Sequence, residues 1–135
     1  MIESVGIIGA GQMGSGIAQV CAVAGLSVTL VDADAGQLTK AIEQIGHFTQ
    51  RQVERGDMAE AERAAALQRI ENGTGLKALG GVDLVIECAT ENEAVKRGIF
   101  DELCPLLKAD ALIATNTSSI SITRLAANTD RPGRF

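Results

Sequence analysis

A chain of 135 residues with 12 basic and 17 acidic side chains, for a formal net charge of -5, lacks the clustered cationic surface that nucleic-acid phosphates require. At 46% hydrophobic and 21% charged residues it is neither disordered nor membrane-spanning in composition, and no apolar run approaches the roughly 20 residues a bilayer demands. The length suits one domain able to bury about two thirds of the surface its unfolded form exposes.

Taken in chain order, the amino terminus enters a glycine loop after a short apolar run and bears an acid at Glu3, which is no signal peptide. A cytoplasmic location is the default expectation. Short, nearly continuous apolar runs at 4–8, 28–31, 82–88 and 112–115 read as parallel strands buried on both faces. Helical periodicity covers about 13–24, 35–55, 59–69, 93–107 and, briefly, 120–127. The order predicts an α/β fold of Rossmann type, a doubly wound and mainly parallel sheet with a helical hairpin inserted at about 35–69. Gly56 breaks the hairpin, and Asp57 with Glu60 resembles a capping box for its second helix. The glycine-rich segment from Glu71 reads as a loop with a marginal strand at about 70–74. The three cysteines, Cys21, Cys88 and Cys104, are widely spaced in apolar sequence and form neither a disulfide framework nor a metal pattern.

Gly9, Gly11 and Gly14 spell G-x-G-x-x-G, a weak signal alone that context strengthens. The first glycine follows an apolar strand and the third lies in the opening turn of a helix. Gly9 then permits the tight turn, Gly11 lets backbone approach a pyrophosphate, and Gly14 allows close helix–strand packing. The helix N-terminus offers N–H groups and partial positive charge to the diphosphate. The next strand ends at Asp32, about 18 residues past Gly14, close to the ~20 expected for an acid that accepts hydrogen bonds from the adenosine ribose. A 2′-phosphate there would meet a carboxylate at ~4 Å, a repulsion of ~1–4 kcal/mol to which Asp34 adds, so NAD is favoured over NADP.

In open parallel sheets ligands sit beyond the carboxyl ends of the strands, so two further polar loops face the same crevice. "TENEAVK" brings Glu91 and Lys96, which reach toward ribose or each other, or else simply favour a helix N-terminus and a solvated surface. "NTSSISI" brings Asn116, Thr117, Ser118 and Ser119, one of whose serines is alternatively a helix cap. Ser118 has no Ser-His-Asp arrangement around it, since the one histidine, His47, falls in the helical hairpin as a surface or groove-lining residue.

The blocks "GIIGAGQMGSGIAQVCAVAG", "DLVIECATENEAVK" and "IATNTSSISITRLA" together resemble the 3-hydroxyacyl-CoA dehydrogenase family, bacterial 3-hydroxybutyryl-CoA dehydrogenases in particular, over essentially all 135 residues. The resemblance implies oxidation of an (S)-3-hydroxyacyl-CoA to the 3-oxoacyl-CoA with hydride transfer to NAD. By position it implies that Gly9, Ala10, Gly11, Gln12, Met13 and Gly14 hold the pyrophosphate and that Asp32 holds the adenosine ribose. It likewise implies Glu91 and Lys96 at the nicotinamide side, Asn116 near the nicotinamide ribose, and Ser118 hydrogen-bonded to the reacting substrate oxygen. Arg55, then Arg51, are the hairpin's candidates for the anionic end of coenzyme A. The family's catalytic histidine lies in an H-F-F-N-P block that this chain stops short of, as it does of the partner glutamate and of the helical substrate and dimerisation domain. The expectation is therefore NAD binding with little turnover by these 135 residues alone, and a homodimer formed through the missing domain. Two other readings stay open at this point: a stand-alone NAD-sensing module, and a related β-hydroxyacid dehydrogenase.

Overall fold

A computed structural model describes residues 1–117 and 119–135. The first apolar run forms β1 (Ser4–Ile8), and the helix after the glycine loop is α1 (Gln12–Val23). There follow β2 (Ser27–Val31), the hairpin helices α2 (Ala35–Glu54) and α3 (Glu60–Gln68), and β3 (Ile70–Gly73). The second half comprises β4 (Leu84–Glu87), α4 (Glu93–Leu103), β5 (Leu112–Thr115) and α5 (Ile122–Ala127). The strands make a five-stranded sheet in the order β3-β2-β1-β4-β5, and every pairing is parallel.

Alternation along each strand divides the core in two, as a sheet covered on both faces requires. Val5, Ile7, Val28 and Leu30 point to one face and pack with Ala18 and Ala22 of α1, Leu38, Ala41 and Ile45 of α2, and Ala66 of α3. Ile8, Val31, Val85 and Ile113 point to the other, against Phe100 and Leu103 of α4, Leu125 of α5 and Leu79. The Rossmann-type expectation therefore holds, with helices on both faces of one parallel sheet. No helix among the described residues is long and apolar enough to cross a membrane.

Several local expectations are corrected. The marginal strand expected at 70–74 is a full edge strand, β3, whose Val28–Ile70 to Val31–Gly73 register continues the sheet. Its pairing rests on backbone rather than on an apolar pattern, and Gly73 is set by packing, because a Cβ there would lie 2.7 Å from the Ala78 Cβ. No capping box starts α3. Its N-cap is Ala59 without a side-chain bond, while the Asp57 N–H donates to the Gln52 carbonyl (2.8 Å) and the Gly56 N–H to that of Val53 (3.0 Å), which closes α2. The helix expected over 93–107 stops at Leu103, and a 3-10 turn containing Pro105 follows, since proline cannot donate to the helical ladder. After α5, the buried Arg131 guanidinium donates to the carbonyls of Lys108 (2.7 Å), Ala111 (3.2 Å) and Cys104 (3.2 Å), fastening the final turn to the sheet's flank.

Candidate cofactor site

Because all strands are parallel, the loops that follow β1, β2, β4 and β5 emerge at one edge of the sheet. The chain leaves β1 toward β2 on one side and returns to β4 on the other, so the crevice lies between β1 and β4. The glycine loop is locked into that position. Gly9 has φ +102, donates its N–H to the Val31 carbonyl (2.8 Å), and would place a Cβ 2.8 Å from the backbone carbonyl of Cys88 on β4's exit. Gly14 would place one 1.8 Å from the Gly9 carbonyl oxygen, so only hydrogen allows α1 to close on the loop. Gly11 differs: a Cβ there meets nothing within 4 Å. It is also the N-cap of α1, with no side chain over the helix end, and the first N–H groups of the helix have no intrahelical acceptors. An open backbone cradle at a helix N-terminus is what a diphosphate needs.

Asp32 is oriented by this loop. One carboxylate oxygen accepts the Ala10 N–H (2.8 Å) and the other the Asp34 N–H (2.8 Å), which leaves further lone pairs on both for ribose hydroxyls. Beside it lies a cavity of about 350 Å³ with apolar walls from Val31, Ala33, Leu76 and Ile99, a suitable slot for a flat heteroaromatic base.

The other half of the crevice is built on a buried ion pair. Lys96 and Glu87 are both 0% exposed. The Lys96 ammonium donates to Glu87 and to the Thr115 hydroxyl (3.2 Å). The Thr115 hydroxyl donates to the same Glu87 oxygen (2.7 Å), and the second Glu87 oxygen accepts the Ala89 N–H (2.7 Å). Lys96 is thus not a solvated surface lysine; it sits beneath the crevice at the ends of β4 and β5. Glu87 is the residue that sequence reasoning passes over, although a lone acid inside the apolar run "LVIEC" is a signal that a buried cation must exist somewhere. Removing one member of such a pair costs about 3–5 kcal/mol. Burial, then the neighbouring Glu87 charge, pushes the Cys88 thiol up to about 11, so it is an inert thiol at neutral pH.

Glu91 joins the two loops. Its carboxylate accepts the hydroxyls of Thr117 (2.8 Å) and Ser119 (2.8 Å), which hold it below the usual carboxylate range. Asn116 is exposed at the same edge, and its N–H donates to the Glu87 carbonyl (2.9 Å). Ser118 lies outside the described residues. Helix α5 is capped by Ser121, which accepts the Arg124 N–H (3.2 Å), and α4 by Asn92, which accepts the Val95 N–H (3.1 Å). Glu91 is therefore not the N-cap of α4, and Ser119 is not the cap of α5.

On the hairpin, Arg51 shares a groove of about 380 Å³ with Lys40, Glu43, Gln44, His47 and Phe48. His47 is exposed and groove-lining, as expected. Arg55 stands apart from this groove and faces Asp57 at 3.8 Å, with both side chains largely in solvent. A larger cavity of about 570 Å³, lined by Ser27, Arg69 and Glu71, opens at the starts of β2 and β3, away from the strand ends that carry the loops.

A parallel sheet with its switch point under an open glycine cradle, an acid oriented at the end of β2 and an apolar slot beside it define a dinucleotide-binding domain of dehydrogenase type. The comparisons sharpen that class. The family described as "3-hydroxyacyl-CoA dehydrogenase, NAD binding domain" matches residues 4–135, and the chain belongs to it. Over 135 residues it is 52% identical to a 3-hydroxybutyryl-CoA dehydrogenase of Bradyrhizobium diazoefficiens, covering 100% of this chain and 46% of the relative. It is 41% identical to a 3-hydroxyadipyl-CoA dehydrogenase of Escherichia coli K12, with 98% and 28% covered. The crystal structure of (S)-3-hydroxybutyryl-CoA dehydrogenase from Ralstonia eutropha superposes with a TM-score of 0.96 at 44% identity, over 100% of this chain and 48% of that one. The chain spans about half the length, or less, of these relatives. The cofactor is NAD.

Proposed function

We propose that this domain serves a cytoplasmic, homodimeric enzyme that oxidises (S)-3-hydroxyacyl-CoA, 3-hydroxybutyryl-CoA foremost, to the 3-oxoacyl-CoA. The observation that carries the reading is the Glu91 clamp on Thr117 and Ser119. It ties Thr117 and Ser119 of the loop after β5 to the loop after β4 at the edge where the crevice opens, in a chain 52% identical to a 3-hydroxybutyryl-CoA dehydrogenase. NAD, when bound, supplies the hydride acceptor.

The chain's own residues divide the remaining work. Gly9 through Gly14, with the Ala10, Gln12 and Met13 backbone, receive the diphosphate, and Asp32 receives the adenosine ribose. Glu91 and Asn116 face the nicotinamide ribose from two loops, and Lys96 supports that half from below. The Ser118 hydroxyl donates to the substrate's reacting oxygen and orients it. Its proton leaves to a base contributed from outside these 135 residues; without that base the loss is ~10²–10⁴-fold. For the coenzyme A end, the shared groove with Lys40 favours Arg51 over Arg55 as the cation that meets phosphate.

The test is acetoacetyl-CoA-dependent NADH oxidation by the full product of the gene, with the 135-residue chain assayed alongside. Activity in the former and almost none in the latter is expected. An inactive full product whose domain still binds NADH would overturn the substrate assignment and leave an NAD-sensing role.

A further inference from the structure

The buried pair beneath the crevice has a charge consequence that positioning alone does not exhaust. Lys96 and Glu87 are both 0% exposed, and they meet at Glu87 and Thr115, the last residues of β4 and β5. That point lies on the β4 side of the switch point, across from Asp32, and Gly9 of the cofactor cradle packs directly on the Cys88 backbone that follows Glu87. An ammonium needs no carboxylate to be held by a hydroxyl, and a buried ion pair is seldom worth more to stability than apolar residues of the same volume. Lys96 has three N–H donors, and two are used among the described residues. What the carboxylate adds is neutrality: without Glu87, a full positive charge shielded from water would sit under the nicotinamide half of the site.

The two states of the cofactor differ in that half alone. The nicotinamide ring of NAD+ is cationic, and that of NADH is neutral. We propose that Glu87 sets the balance between bound NAD+ and NADH by cancelling the Lys96 charge, so that the oxidised cofactor is not repelled from the crevice. Glu87 touches neither cofactor nor substrate in this role; it acts through Lys96. The inference rests on the crevice binding NAD, and the ratio of two affinities separates it from a general loss of binding.

The experiment measures the dissociation constants of NAD+ and NADH by calorimetry for the wild-type chain, Glu87→Gln, Lys96→Met and the double variant, with far-UV circular dichroism as a check on folding. Glu87→Gln should raise the ratio Kd(NAD+)/Kd(NADH) by about tenfold, the order expected of one uncompensated charge at short range in protein. Lys96→Met should lower the ratio, because it removes the positive charge and keeps its acidic partner. The double variant should return it to the wild-type value. A merely structural pair would weaken both ligands together, so an unchanged ratio in Glu87→Gln, or no restoration in the double variant, overturns the proposal. Should Glu87→Gln not fold, the sign of the change in Lys96→Met decides: a fall supports it and any other result refutes it. Failure of the wild-type chain to bind either form would instead refute the cofactor site itself.

Discussion

Replacing Gly11 and Gly14 with alanine separates the two jobs that one glycine loop performs. At Gly11 the backbone angles, φ -73 and ψ -165, are open to alanine, and the new methyl meets nothing within 4 Å. The loss of a glycine N-cap, up to about 1 kcal/mol, is offset by the ~0.4–1 kcal/mol that alanine removes from the unfolded chain's freedom. Gly11→Ala should therefore keep wild-type stability within about 1 kcal/mol. The methyl nevertheless occupies the space through which a diphosphate approaches the backbone. Losing one N–H bond to a charged acceptor, ~1.5–3 kcal/mol, weakens NADH binding by roughly ten- to 150-fold. Gly14→Ala does the reverse. Its Cβ would stand 1.8 Å from the Gly9 carbonyl oxygen, against a van der Waals separation of roughly 3.5 Å, so α1 and the loop must part by more than an ångström. Forced expansion of that kind costs about 3 kcal/mol or more out of a typical total of about 5–15. Urea unfolding followed by far-UV circular dichroism reads the stabilities, because the chain has no Trp or Tyr, and cofactor fluorescence reads binding. A Gly11→Ala chain that binds NADH as the wild type does, or a Gly14→Ala chain of unchanged stability, would refute the division.

Asp32→Ala should weaken NAD binding and narrow the preference over NADP by about tenfold or more, since the ~1–4 kcal/mol repulsion of a 2′-phosphate goes with the carboxylate; parallel titrations check it, and an unchanged preference counts against Asp32 as the discriminator. Asp83 accepts the N–H groups of Glu3 (2.7 Å) and Ser4 (3.1 Å) and pairs with Lys108, and these contacts, the Lys108 ammonium first, hold its carboxyl well below the usual range. A lowered folded-state pKa means stabilisation that is complete above the unfolded value of ~3.9 and disappears as pH falls through the folded one. Asp83→Asn should thus be less stable than wild type at pH 7, with the gap closing below about pH 4; a gap independent of pH would contradict this. Phe100 is 2% exposed and meets Phe135 edge-on at 5.0 Å between ring centroids. Phe100→Ala should cost about 3–5 kcal/mol in urea unfolding, and a cost below about 1 kcal/mol would show that the face of the sheet under α4 is not closed by this ring.

The parts of the site legible in sequence are those that a spacing dictates. Gly9, Gly11, Gly14 and Asp32 could be placed because turn, helix end and following strand impose the interval between them, and in the structure the Ala10 N–H indeed reaches the Asp32 carboxylate. Lys96 could be drawn toward the crevice but not into its buried pair with Glu87. It stands in an amphipathic helix with Glu93 three positions before it, a pattern that reads as surface, whereas its partner is nine residues back in a strand and Thr115 nineteen ahead. Only the three-dimensional meeting of β4, β5 and α4 brings these groups together. The same limit explains β3, whose pairing comes from the backbone of β2 and whose Gly73 is chosen by Ala78 and Val31 rather than by a turn. Caps fall between these cases: Asn92 and Ser121 are ordinary capping residues, but Ser119 offered a local pattern as good as that of Ser121, and its hydroxyl is donated instead to Glu91.

We place NAD at the carboxyl edge of the sheet, across the β1–β4 switch point. A ¹H–¹⁵N chemical-shift titration of the 135-residue chain with NADH tests it residue by residue. The largest shifts are predicted at the amides of Gly9 to Gly14, at Asp32 and Asp34, and at Ala89, Glu91 and Asn116. Shifts confined to the groove around His47 and Arg51, or to the cavity around Arg69, would contradict it, as would no shift at saturating cofactor.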